Sequence, residues 1–100
     1  MSVRAKKVLT DKQLHRALDK LPDWKTNKNQ SYIKASFAQP DYITGLVFIA
    51  RIAVHAELLQ HHPDIQYSYN AVTVKLSTHD VSGITSLDVA LATRISNLTT

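Results

Sequence analysis

Cysteine is absent from this sequence. That removes disulfides, thiolate zinc sites and cysteine nucleophiles together, and it fits a reducing compartment. Glycine occurs only at Gly45 and Gly83, too few and too far apart for a glycine-rich phosphate loop. No Gly-x-Ser-x-Gly elbow is present, so serine hydrolase chemistry has no support. Internal repeats and low-complexity stretches are also missing. The first seven residues carry early positive charge with no apolar run behind them, unlike a signal peptide. The most apolar run, residues 43–54, is interrupted by Arg51 and reads as too short for a bilayer. A soluble cytoplasmic protein without membrane contact is the expectation.

What is present describes one ordinary globular domain, with 44% hydrophobic and 20% charged residues in a chain of 100. Residues 1–8 read as a flexible tail ahead of it. The net charge of +4 is unevenly spread. Residues 1–34 hold nine Lys/Arg against Asp11, Asp19 and Asp23, whereas residues 35–100 hold three against five carboxylates. Scattered lysines without a recognition motif describe a solvated face, so no direct nucleic-acid binding is expected.

Thr10-Asp-Lys-Gln13 has the form of a capping box, opening a short helix that Pro22 ends. Trp24 anchors a first strand near residues 23–28, with turn residues at Asn27-Lys-Asn29. Ile33, Ala35 and Phe37 alternate with Lys34 and Ser36, the pattern of a half-buried strand. Gln39-Pro40-Asp41 opens a long helix expected to run to about His61. At about 100° per residue, Ile43, Val47, Ala50, Val54, Leu58 and His61 form one stripe, flanked by Leu46, Ala53 and Glu57. Phe48, Ile49 and Ile52 form the opposite side. A helix apolar on both sides needs cover on both, one from the sheet and the other from a second helix or another subunit, and in so small a chain a subunit is expected. A second hairpin spans residues 65–76, and Thr85-Ser-Leu-Asp88 opens a last helix. The order α-β-β-α-β-β-α predicts an α+β fold, a four-stranded antiparallel sheet with three helices on one face.

Histidine carries the available chemistry. Glu57 and His61, four apart on a helix, meet on one face, and the stripe points that face inward, where the carboxylate would orient the imidazole. His62 precedes Pro63 and is pushed out of helical geometry, so the two adjacent rings can turn toward one cavity. His79, in Thr78-His79-Asp80, adds a third ring just past the last strand. Imidazoles titrate near neutrality and serve as acid or base there. Plainer readings stand beside this one. Glu57–His61 is also the spacing of a common surface pair, His62 and His79 suit exposed loops, and Asp88 suits a helix cap. His15 and His55 read as surface residues. Glu57, His61, His62 and His79 supply metal-ligand types but not the His-Glu-x-x-His spacing, so no metal is expected.

Glu57-Leu-Leu-Gln-His61-His62-Pro63, Tyr69-Asn70, Thr78-His79-Asp80, Gly83-Ile-Thr85 and Asp88 together resemble the pterin-4a-carbinolamine dehydratases, a family also known as dimerization cofactors of a homeodomain transcription factor. The resemblance covers residues from about 10 to 98. It implies loss of water from a 4a-hydroxytetrahydropterin to give quinonoid dihydropterin, in tetrahydrobiopterin recycling for aromatic amino-acid hydroxylases. It implies no cofactor and assembly as a homodimer or homotetramer. His61 and His79 would be the acid/base pair and His62 an auxiliary or substrate-binding group. Glu57 would orient His61, and Asp88 would support the site or the pterin ring. A partner protein, hydroxylase or transcription factor, is a further implication. A non-catalytic dimerization cofactor or coactivator is the alternative.

Overall fold

The computed structural model describes residues 7–99. Helix α1 (Asp11–Asp19) starts on a formed capping box. The Gln13 N–H donates to Thr10 Oγ1 at 3.2 Å, and the Thr10 N–H donates to Gln13 Oε1 at 2.9 Å. Strand β1 is only Lys25–Thr26, shorter than the 23–28 expected. Asn27 Oδ1 accepts from the backbone N–H groups of Ser31 and Tyr32 at 2.8 and 3.1 Å. That side-chain turn takes donors a longer ladder would use.

β2 (Ile33–Ala38), α2 (Tyr42–Leu59), β3 (Asp64–Ser68), β4 (Ala71–Leu76) and α3 (Ser86–Asn97) complete the expected order, with a short 3-10 turn at His79–Val81. The sheet is antiparallel in the order β1-β2-β4-β3. Its inner face buries Ile33, Ala35, Phe37, Val72, Val74 and Leu76 under the helices. Trp24 meets Phe37 edge-on with centroids 6.0 Å apart, and Phe37 meets Phe48 of α2 at 5.4 Å. The Trp24 indole N–H donates to Ser96 Oγ of α3 at 2.9 Å, closing the layer. The expected tail at residues 1–8 lies largely outside the described residues. Its last members do not run free: a side chain at Gly83 would meet Val8 at 3.1 Å, and the next residue, Leu9, donates to the Ile84 carbonyl.

Helix α2 departs from the sequence reading twice. Its buried stripe is Gly45, Phe48, Ile52 and Ala56, packed toward β4 and α3. The stripe expected to point inward is exposed instead, with Ile43 at 67%, Val54 at 57% and Leu58 at 68% of full exposure. Periodicity showed two apolar sides, and the bulkier aromatic side won the sheet. The helix also ends at Leu59, not His61. Gln60 turns left-handed (φ 51°), its N–H reaching the Glu57 carbonyl, and the His61 N–H reaches Ala56. This is a Schellman closure, so the helix stops before Pro63 can act on it. By length and composition α2 would pass as a membrane span, more than the residues 43–54 judged from sequence. Its buried Phe48, Ile52 and Ala56 make it the central helix of this domain.

Gly45 occupies a helix interior because Tyr67 crosses it. A Cβ there would overlap the Tyr67 phenol, which donates to the Tyr42 carbonyl and stacks on the Tyr42 ring at 4.8 Å. Glycine inside a helix costs about 1 kcal/mol relative to alanine. Gly45→Ala should therefore stabilise by about 1 kcal/mol in a Tyr67→Ala background and give no gain in the wild type, measured by urea unfolding. At the start of the same helix, the Thr44 N–H donates to Asp41 Oδ1 at 2.7 Å and holds that carboxyl below its ordinary value of 3.8. A depressed folded value gives stability that is complete above 3.8 and lost as pH falls through the lower folded value. The unfolding-midpoint gap between wild type and Asp41→Ala should accordingly shrink on acidification below that pH.

Candidate active site

The Schellman turn releases His61 and His62 from the helix and sends them to different partners. His61 turns inward. Its Nε2 lies 2.5 Å from Asp88 Oδ1, with the imidazole 10% exposed and Asp88 wholly buried. His62 stays outside, its Nε2 2.5 Å from Glu57 Oε2, with both side chains largely exposed. The expected pairing is thus exchanged: Glu57 orients His62, and Asp88 takes the role assigned to Glu57 at His61. The cause is the early end of α2, which takes His61 off the helical register that would have set it above Glu57. The two rings therefore take different carboxylate partners, Asp88 for His61 and Glu57 for His62.

Asp88 reaches this position as the third residue of α3, where it closes a capping box. The Thr85 N–H donates to its Oδ2 at 2.9 Å, and Thr78 Oγ1 donates to the same oxygen at 2.8 Å. Thr78 and Thr85 hydroxyls lie 2.8 Å apart, both buried. Each hydroxyl has one proton. Thr78 spends its proton on Asp88, so Thr85 donates to Thr78 and accepts from the Leu87 N–H at 3.3 Å. A carboxylate at Asp88 only accepts, so the hydrogen bond is donated to it by His61 Nε2–H. Among the described residues, no buried side-chain nitrogen or oxygen lacks a partner.

His79 follows Thr78 directly, so the Asp88 network leads by one peptide bond to the third histidine. It opens the 3-10 turn and is exposed. It lines a cleft of about 260 Å³ with Ser31, Tyr32, Asp64, Lys75 and Ser77. His61 and His62 do not line this cleft; Asp64, two residues past His62, is the link. A larger cleft of about 460 Å³ beside Arg51 contains none of the histidines, so chemistry rather than volume locates the site. His15 is exposed, and His55 shares Nδ1 with an Arg94 guanidinium nitrogen at 3.3 Å; neither joins it. No three metal-ligand side chains group together among the described residues.

Thr78 and Thr85 were visible in the sequence only as a motif neighbour and a helix cap. The Thr85 contact follows from the local capping box, whereas that of Thr78 depends on the segment after β4 folding against the start of α3, for which no local pattern exists. Chemically, the arrangement offers one imidazole held through its Nε2 by a buried carboxylate, a second paired at the surface, and a third at a cleft mouth. That is equipment for moving protons.

A family model for pterin 4 alpha carbinolamine dehydratases matches residues 7–98. A relative from Rhizorhabdus wittichii, provisionally named a pterin-4-alpha-carbinolamine dehydratase, is 40% identical, covering 90% of this chain and 93% of its own. The crystal structure of a transcriptional coactivator/pterin dehydratase from Brucella melitensis superposes with a TM-score of 0.87 at 35% identity, covering 91% of this chain and 97% of that one. A pterin dehydratase-like protein described as a RuBisCO assembly factor shares the fold, with a TM-score of 0.65 at 21% identity over 76% of this chain and 88% of its own.

Removing the Asp88 acceptor would leave three donors stranded in a dry interior. Asp88→Ala should cost about 3 kcal/mol or more in denaturant unfolding, since each buried donor left unpaired costs about 1–3 kcal/mol. Glu57→Ala, at a solvent-screened pair, should leave the unfolding midpoint nearly unmoved. Equal effects would contradict the exchanged pairing.

Proposed function

The chain belongs to the pterin-4-alpha-carbinolamine dehydratase family, and from that premise we propose that it dehydrates 4a-hydroxytetrahydropterins to quinonoid dihydropterin and water. The reaction needs one proton delivered to the leaving 4a-hydroxyl and one removed from the adjacent ring nitrogen. The carbon–oxygen bond breaks, the nitrogen's electron pair forms the new double bond, and the protein ends with its protons unchanged in number. Histidine acid/base catalysis suffices, and no cofactor enters the proposal.

The observation that carries the reading is the His61–Asp88 pair, one peptide bond away, through Thr78, from His79 at its cleft. In the proposal His61 and His79 are the acid/base pair, and His62 is an auxiliary group oriented by Glu57. Asp88 holds the His61 ring through its Nε2 and is a positioning residue. The physiological setting proposed is tetrahydrobiopterin recycling beside aromatic amino-acid hydroxylases in the cytoplasm, which the absence of cysteine fits.

A second reading has its own observation. The outer stripe of α2 exposes Ile43, Val47, Val54 and Leu58 together, and apolar stripes of this kind are covered by partners. We propose a homodimer or homotetramer through this face, and a coactivator-like role with a protein partner is the alternative to catalysis. The Brucella melitensis relative carries both descriptions.

Following dehydration of a 4a-hydroxytetrahydropterin separates the two. The His61→Ala/His62→Ala double variant should lose about 10²–10⁴-fold in rate, the range for removing positioned acid/base groups. A rate equal to wild type would end the enzymatic reading and leave the binding module.

A further inference from the structure

The outer face of the sheet, opposite the helices, carries an unusual row. The register sets Lys25 opposite Lys34, Lys34 opposite Lys75, and Lys75 opposite Asp64. All four are exposed. Neighbouring strands lie about 4.8 Å apart, so three ammonium groups are rooted within about 10 Å. Like charges directly opposite one another are destabilising. Asp64 and Asp23 offset the row only at its two ends. Lys75 Nζ is drawn over the Tyr32 ring, 4.5 Å from its centroid, in a cation–π contact. The next row along the sheet is uncharged, with Ser36 and Thr73 hydroxyls 3.2 Å apart.

The row runs out of the candidate site. Lys75 lines the His79 cleft, and Lys25 and Lys34 line a second cleft of about 270 Å³. Tyr32 is common to both and forms the ridge between them. A ligand with a flat ring at His79 and a chain crossing Tyr32 would place the end of that chain between Lys34 and Lys75.

Resting on the dehydratase reading above, we propose that this lysine row acts on the substrate's side chain: beside the uncharged tetrahydrobiopterin type, the chain takes, and binds more tightly, pterins whose ring substituent ends in an anionic phosphate group. Lysine ammonium groups are compact point charges suited to a phosphate. An anion at the centre of the row relieves the repulsion among its members. Lys34 and Lys75 then act on substrate affinity, while the histidines act on the reaction.

Fluorescence titration with neopterin, whose side chain is uncharged, and with its 3′-monophosphate tests this directly. The monophosphate should bind about tenfold more tightly or better, with the advantage shrinking as salt screens the lysines. In Lys34→Gln/Lys75→Gln the ratio between the two ligands should fall to about one. The variant's unfolding midpoint should stay close to wild type, since the repulsion removed offsets the loss of the Lys75–Tyr32 contact. Equal binding of both pterins by wild type, or an advantage that survives the double substitution, would overturn the inference and leave dehydration untouched. A short single-stranded oligonucleotide binding more tightly than either pterin would also overturn it, by giving the row to a polyanion. If neither pterin binds and the neutral 4a-hydroxytetrahydropterin is not dehydrated, the dehydratase reading fails and takes the inference with it.

Discussion

A single buried carboxylate, Asp88, ties separate stretches of this molecule together beside its candidate site. Asp88 has no access to water, and an ionised group in that position is tolerated only when donors surround it. They come from three separate stretches: His61 beyond α2, Thr78 beyond β4, and the Thr85 backbone ahead of α3. Satisfying Asp88 therefore holds three loops in one arrangement. The same contacts set the placement of the His61 ring and the starting point of His79.

Helix α2 organises the rest through a contest between two apolar faces. Phe48 and Ile52 face the core, where Phe48 continues the edge-on aromatic chain from Trp24 and Phe37. The aliphatic face made by Ile43, Val47, Val54 and Leu58 is left outside. Burial of the larger aromatic surface on the sheet accounts for the choice. Gly45 lies on the buried face because Tyr67 of β3 passes so close that no side chain fits. The helix is thus positioned at one end by Tyr67 and released at the other by Gln60, whose left-handed turn directs His61 and His62 apart.

The sheet likewise has two unlike faces. Alternation along β2 and β4 sends Ile33, Ala35, Val72 and Val74 inward and Lys34, Ser36 and Lys75 outward. Antiparallel register then converts lysines distant in sequence into neighbours. Lys25 and Lys34, part of the basic scatter along the first third of the chain, are thereby brought into one row with Lys75 of the His79 cleft.

Local patterns in the sequence carried much of this. Both capping boxes, the alternation in β2 and β4 and the element order are short-range features, and each depends on residues within a few positions of one another. Glu57, His61, His62 and His79 could be singled out for the same reason, from a compact motif at a helix end and another after a strand, and Asp88 as a site residue through the family resemblance. Pairing among them was not legible. Glu57 stands four residues before His61, but a left-handed residue between them redirects both histidines, and nothing in the helical period announces Gln60 in that conformation. Which face of α2 is buried, which carboxylate meets which imidazole, and which lysines stand side by side were decided by tertiary structure. Each depends on packing and register between segments far apart in the chain, where side-chain size and donor supply choose among arrangements that local sequence leaves equally open.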